Sequence, residues 1–233
     1  MKCLQHYSVK EFEYEVRNNL KIDGWMIRDG NPQNRIKETK NKDYFKKLQL
    51  KAKKSKFIYA QDLEIISWLD TMNLLFHTLS YLDKNLKQEI TVVQEYKIPF
   101  SNKRADYLLL YRNKILIIEF SYDNFGNEYR YESKLTQAIG YKELLANMLP
   151  QNIRLATYTF IINPEMSEKH KEYYKFDRYS GDYEQANNEK MKEFASYIEL
   201  FFKQTEQSAV FALNQLEDKI NDIDSKKIED WLM

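Results

Sequence analysis

The sequence predicts an α/β fold in which a mixed central sheet is flanked by helices. Three observations support it: a long amphipathic helix begins at residue 61, three β-rich runs follow at short intervals, and a second helix leads to a fourth β-rich run ending at residue 163. Strands separated by short gaps form an antiparallel meander, and a helix between two strands carries the chain across the sheet. We therefore expect an α-β-β-β-α-β core with its two helices on opposite faces.

The spacing of apolar residues identifies the two core helices. Residues 131–149 form the second helix, which Pro150 ends because the residue before a proline disfavours helical backbone. Residues 61–82 form the first helix, whose apolar side chains recur on one face as in an amphipathic helix packed on a core. The apolar face of this first helix consists of Ile65, Leu69, Met72, Phe76 and Leu79.

Short gaps containing turn residues separate the first three strands. Pro99 and Asn102 lie in the first gap, and Arg112-Asn113 forms the second. A two-residue connection is typical of a β-hairpin and sets the register of its strands. The four predicted strands are residues 90–100, 104–111, 114–122 and 153–163.

The chain divides into three predicted regions. Residues 57–165 form the core, between an N-terminal helical and basic extension (residues 1–56) and a C-terminal helical extension (residues 166–233). Ser8 is a candidate N-cap for a helix over residues 9–20. The C-terminal helices offer a docking surface for a homodimer or a protein partner, and they are predicted at residues 189–207 and 209–220.

Composition excludes several classes of protein. No apolar run approaches the roughly 20 residues needed to span a bilayer, and the N-terminus lacks the apolar segment of a secretory signal. Cys3 is the single cysteine, which rules out an internal disulfide and a cysteine zinc site. We therefore expect a cytoplasmic protein that makes no membrane contact.

Charge is uneven along the chain although the net charge is only +1. Residues 35–56 carry many bases and only two acids, Glu38 and Asp43. Such a stretch either follows a nucleic-acid backbone or forms the solvated face of a helix, and charge alone leaves both interpretations open.

Carboxylates interrupt the apolar strands at three positions. If Arg112-Asn113 is a two-residue turn, residues whose numbers sum to 225 are opposed, so Asp106 faces Glu119. A four-residue loop in the preceding gap would in turn place Glu95 opposite Asp106. The three acids would then form a row across adjacent strands.

Like charges directly opposed destabilise a sheet, so packing gives no reason for such a row. A divalent cation does, because Mg²⁺ and Mn²⁺ prefer carboxylate, water and phosphate oxygens. We therefore predict Asp106, Glu119 and Glu95 as ligands of Mg²⁺ or Mn²⁺. The alternatives are an acid at a frayed strand end, a proton shared by the pair, or an ion pair with Arg104.

These residues resemble the motifs of the PD-(D/E)xK nuclease superfamily. Asp106 in "RADYLLL" matches the aspartate of the second core strand, and Glu119 in "IIEFS" matches the glutamate of the third. Gln137 and Tyr141 in "QAIGY" resemble the Gln-x-x-x-Tyr motif of its RecB-like branch. The resemblance implies a restriction-endonuclease-like core that uses a metal to hydrolyse phosphodiester bonds in DNA, or in RNA, and it suggests a role in a defence or mobile-element system.

The chain departs from this pattern at the motif lysine, where it has Ser121. Serine lacks the fixed positive charge that offsets charge developing during attack. The resemblance makes Lys134 and Lys97 the candidate replacements on neighbouring elements, whereas the register places Arg104 opposite Ser121. Two functions therefore remain: an active nuclease, or a catalytically inactive nuclease-fold module that binds nucleic acid or a protein.

The first core helix contributes two further acids. Glu64 and Asp62 are candidates to complete the site, although Asp62 is equally well placed to cap the helix.

Overall fold

The computed structural model describes residues 2–20, 32–55, 60–124, 128–165 and 183–203. It is an α/β fold with a five-stranded mixed sheet of order β1-β2-β3-β4-β5, flanked by helices. The strands are β1 (Gln5–Ser8), β2 (Thr91–Lys97), β3 (Arg104–Tyr111), β4 (Lys114–Asn124) and β5 (Arg154–Glu165). The helices are α1 (Val9–Tyr14, continued by a π-helical segment, Glu15–Leu20), α2 (Pro32–Thr39), α3 (Asp43–Lys54), α4 (Asp62–Ser80), α5 (Lys84–Glu89), α6 (Glu128–Met148) and α7 (Tyr183–Phe202).

The predicted order of the central strands is confirmed, and the predicted register holds from the Arg112-Asn113 turn as far as Tyr107 opposite Ile118. β2, β3 and β4 form an antiparallel meander, and β5 lies parallel to β4 after the α6 crossover. Tyr111 is opposite Lys114 across the Arg112-Asn113 turn, as the two-residue hairpin requires. Lys97 is opposite Arg104, which is the register counted from the preceding loop.

Helices cover both faces of the sheet, as predicted. α4 and α7 pack on one face in a cluster that includes Tyr107, Leu109 and Ile118, whereas α6 packs on the other face against Leu108 and Ile117. All five residues of the predicted apolar stripe of α4 are buried. Burial of apolar surface on both faces explains why β3 and β4 read as continuous apolar runs rather than as alternating strands.

The N-terminal segment joins the sheet. β1 was not predicted, and it pairs antiparallel with β2, with Gln5 opposite Gln94. Ser8 then caps α1 in a capping box: its hydroxyl accepts from the Glu11 N–H, and the Glu11 carboxylate accepts from the Ser8 N–H. The predicted cap is therefore confirmed.

The predicted basic stretch forms α2 and α3. α3 buries Phe45 and Leu48 in the core and turns its lysines outward, and Lys51 pairs with Glu15. α5 was not predicted. The predicted helix over residues 209–220 lies outside the described residues.

One position interrupts the regular alternation of β2 and β3. The register is the same on both sides, but the ladder omits Glu95 and Asp106. Ala105 and Tyr107 would share a face in a regular strand, yet Ala105 packs with α6 and Tyr107 packs with α4. The backbone of Glu95 is left-handed, with φ 53°. The alternation of side chains between the two faces of the sheet is therefore reversed at Glu95 and Asp106, which are two of the predicted metal ligands.

No helix in the described part of the chain is both long enough and apolar enough to cross a membrane.

A buried lysine links the start of β4 to the end of α7. Lys114 is only 2% exposed, and its Nζ donates to the carbonyl oxygen of Phe201. That carbonyl belongs to the last turn of α7, where carbonyls lack partners within the helix and attract cations. The contact attaches α7 to the hairpin that carries the acids.

We expect Lys114→Ala to lower the free energy of unfolding by about 2–4 kcal/mol, because it leaves a cavity and an unpaired carbonyl. Thermal and urea unfolding would measure the change. Lys203→Ala is the control: this exposed lysine at the same helix end pairs with Glu199, and the expected effect is below about 0.5 kcal/mol. Equal losses in the two variants would contradict the assigned role.

Candidate functional site

A polar cavity of about 340 Å³ opens where β2 ends and β3 begins, and α4 and α6 both contribute side chains to its wall. It contains most of the predicted site residues, and Glu119 lies behind it, fully buried. The lining residues are Glu64, Ser67, Trp68, Glu95, Asn102, Lys103, Arg104, Asp106, Lys134, Gln137 and Tyr141.

Two carboxylates meet where β3 and β4 separate. The ladder between these strands stops at Tyr107–Ile118, so the predicted backbone pairs of Asp106 with Glu119 and of Arg104 with Ser121 do not form. Side chains take over instead. The Phe120 N–H donates to Asp106 Oδ2 at 2.7 Å, and the Asp106 N–H donates to Glu119 Oε1 at 3.2 Å. The two acids are therefore adjacent, as predicted, but through side-chain contacts.

Three residues of α6 face these acids. Lys134 Nζ lies 2.6 Å from Glu119 Oε2 and 3.9 Å from Asp106 Oδ2. Gln137 Nε2 donates to Glu119 Oε2 at 3.2 Å and to the Tyr141 hydroxyl at 2.5 Å. Residues three and four apart share one face of a helix, which explains why the three side chains converge.

The structure distinguishes the two lysines predicted to replace the motif lysine. Ser121 is buried in β4, and Lys134 reaches both acids from α6. Lys97 lies opposite Arg104 in β2, but within the described residues it forms no ion pair with Asp106, Glu119 or Glu95 and does not line the cavity. Lys134 is thus the lysine that the structure brings to the acid pair.

Glu95 belongs to a second polar group on the α4 side of the cavity. Its Oε1 accepts from Trp68 Nε1 at 2.7 Å, and its Oε2 lies 2.9 Å from Arg104 Nε. Arg104 also pairs with Glu64, which places that candidate acid in the cavity. The ion pair with Arg104 was the predicted alternative for Asp106 and Glu119, but the structure forms it with Glu95 and Glu64.

Asp62 lies apart from this group. Gln61 occupies the cap position of α4, and Asp62 pairs with Lys40 at 2.6 Å, so the predicted capping role of Asp62 is wrong. Trp68 was missed as a site residue. A signal existed, because a buried indole N–H usually needs an acceptor, and Trp68 lies one turn after Glu64.

Burial and mutual repulsion shift the titration of the acids. Burial, followed by the charge of Asp106, raises the pKa of Glu119 to about 8. Burial also raises the pKa of Asp106, and it raises the pKa of Glu95 well above its usual range. Burial lowers the pKa of Lys134, but the charges of Asp106 and Glu119 outweigh it and the net shift is upward. The site therefore holds a fixed cation beside acids that resist ionisation.

The donor set fits a hard dication at the acid pair. Asp106 and Glu119 supply carboxylate oxygens beside a polar cavity, and such oxygens are the donors that a hard dication prefers. Within the described residues, however, no group of three or more His, Cys, Asp or Glu side chains is arranged to hold a metal. Glu95 faces Trp68 and Arg104, so the predicted row of three acids is not assembled.

Comparison of the chain with family models, with curated proteins and with solved structures finds no match in any of the three.

We expect the metal-free protein to lose stability as pH rises from about 6 to about 8, by an amount of the order of 2 kcal/mol. Folded Glu119 keeps its proton up to about pH 8, whereas the unfolded carboxyl releases it near its ordinary pKa. Raising the pH between these values therefore favours the unfolded state. Urea unfolding in EDTA at several pH values would measure the slope.

Glu119→Gln is the matched variant for this titration, because it keeps the shape of the side chain and removes the ionisable group. Its stability should depend less on pH over the same range. A variant slope as steep as that of the parent would show that Glu119 is not the titrating group.

Proposed function

We propose that this protein is a metal-dependent nuclease with a restriction-endonuclease-like core that hydrolyses phosphodiester bonds in DNA, or in RNA. The observation that carries the proposal is the position of Lys134 Nζ, 2.6 Å from Glu119 and 3.9 Å from Asp106. A cation between the buried Glu119 and the half-buried Asp106, at the wall of an open polar cavity, supplies from α6 the charge missing at Ser121.

Asp106 and Glu119 would hold Mg²⁺ or Mn²⁺ in this proposal. When bound, the cation would supply a Lewis acid for a phosphoryl oxygen and activate water for attack. Lys134, which stays protonated beside the acids, offsets negative charge that develops on the phosphate. It can also hydrogen-bond an incoming water, because an ammonium group has three donors.

Gln137 and Tyr141 position the acid pair. Gln137 donates both to Glu119 and to the Tyr141 hydroxyl, so it holds the carboxylate at a set angle to α6. On the opposite wall, Arg104 is held by Glu95 and Glu64 and offers a second cation to the cavity. The arrangement suits an anionic substrate that enters between the two walls.

We expect replacement of both Asp106 and Glu119 by Ala to abolish Mg²⁺-dependent cleavage of DNA, because no carboxylate pair would remain to hold the cation. Gel assays on single-stranded and duplex substrates would measure cleavage, and circular dichroism would verify the fold. A double variant that cuts as well as the parent would disprove the assigned site.

Single-residue variants should show which of the two candidate lysines supplies the positive charge missing at Ser121. We expect Lys134→Ala to lower the cleavage rate by roughly 10²–10³-fold, as for loss of one group that stabilises transition-state charge. Lys97→Ala is the matched control and should change the rate by less than about threefold, since Lys97 does not reach the acids. A larger loss from Lys97→Ala would transfer the role to that residue.

The alternative function is a catalytically inactive nuclease-fold module that binds nucleic acid or a protein. One observation favours it: Lys134, Gln137 and the Asp106 N–H already engage both oxygens of Glu119. If these contacts persist, Lys134 is a permanent structural counter-ion rather than a catalytic group.

Calorimetry with Mn²⁺ would distinguish the two functions. The nuclease should bind Mn²⁺, and Asp106→Asn should abolish the binding because an amide is a weaker ligand than a carboxylate. Absence of binding at millimolar Mn²⁺, together with a stable complex with nucleic acid or a protein, would favour the module.

A further inference from the structure

The turn between β2 and β3 holds an aromatic residue in an unfavourable backbone conformation. The Ser101 N–H donates to the Ile98 carbonyl at 3.3 Å, and Pro99 and Phe100 occupy the two central positions. Phe100 has φ 54°, in the left-handed region. A proline followed by a positive φ is the type II pattern, which favours glycine or asparagine at the position of Phe100. A side chain there is strained, because its Cβ atom comes too close to the following carbonyl oxygen.

Packing does not offset this strain. Phe100 is 59% exposed, although Ile98 and Pro99 on its N-terminal side are buried. The turn is also well anchored: the Ile98 N–H donates to the Lys103 carbonyl at 3.1 Å, and the Lys103 N–H donates to Ser101 Oγ at 3.0 Å. A conformational outlier on a well-anchored turn, with no contribution to the core, indicates a functional constraint.

The same turn forms part of the cavity wall. Asn102, Lys103 and Arg104 line the cavity together with Asp106 and Lys134, and Phe100 precedes them in the turn. Phe100 does not itself line the cavity, but this exposed aromatic residue lies three residues before the exposed Lys103 in the turn that does. Aromatic faces next to cations are what proteins use to hold the bases and phosphates of single-stranded nucleic acid.

We propose that Phe100 stacks on an unpaired base beside the scissile phosphate, with Lys103 contacting the adjoining phosphate, so that the site prefers unpaired nucleotides to duplex. This inference rests on the proposed nuclease function. The ring can cover a base face only where that face is not already stacked within a helix, which is the case in single strands, flaps and bulges.

Fluorescence anisotropy would test the proposal with a labelled DNA strand of about 12 nucleotides and the same strand made abasic, a length that spans one site. Ca²⁺ replaces Mg²⁺ so that an oxygen-preferring dication is present, and the salt concentration is held constant. We expect the parent to bind the intact strand about tenfold more tightly than the abasic strand, as for one base stacked on an aromatic ring.

Phe100→Asn should remove that difference and Phe100→Trp should retain it. Asn tolerates left-handed backbone, so Phe100→Asn should be as stable as the parent or more stable, which separates a binding role from a structural one. Tyr14→Asn is the control: it removes an exposed aromatic side chain on α1, a helix that contributes no residue to the cavity wall, and it should leave both affinities unchanged.

Two results would overturn the inference and are distinguishable. If the parent binds both strands equally, or if Phe100→Asn binds the intact strand as tightly as the parent, base stacking at Phe100 is wrong while the nuclease proposal stands. If the parent binds neither strand nor a duplex of the same sequence, the proposed function fails as well.

Discussion

The site depends on two carboxylates, the buried Glu119 and the half-buried Asp106, that accept hydrogen bonds from main-chain N–H groups where β3 and β4 separate. Asp106 accepts from the Phe120 N–H, and Glu119 accepts from the Asp106 N–H, just beyond the last ladder pair. Buried acids are tolerated only where such partners exist, and α6 must therefore place Lys134 and Gln137 against Glu119. The separation of β3 and β4 thus goes together with the orientation of α6 in which Lys134 and Gln137 face Glu119.

Two sets of ion pairs lie on opposite sides of the cavity, because the alternation of side chains between the faces of the sheet is reversed at Glu95 and Asp106. On the α6 side Lys134 forms ion pairs with Glu119 and Asp106, and on the α4 side Arg104 forms an ion pair with Glu95. The left-handed backbone at Glu95 separates these groups, although a regular ladder would have aligned all three acids. This reversal explains why Glu95, although adjacent to Asp106 in register, contacts a different set of side chains, including the Trp68 indole.

Local patterns were enough to predict much of the fold. The apolar stripe of α4 and the alternation of strands with α6 arise from periodic burial, and the register across Arg112-Asn113 follows from the length of the turn. β1 was missed because its sequence, QHYS, is short and polar, and it is a strand only through pairing with β2. Its partners are about ninety residues away in sequence, so no local sequence pattern indicates the pairing.

The sequence by itself determined that Asp106 and Glu119 would be neighbours, because a two-residue hairpin allows one register, and that a helical face would present Gln137 and Tyr141 together. Only the tertiary structure decided which cation joins them. Lys97 is nearer to Asp106 along the chain, but distance in space depends on how α6 docks on the sheet, and that docking brings Lys134 to the acids. Side-chain contacts between separate elements are set by packing, which neither turn length nor periodicity encodes.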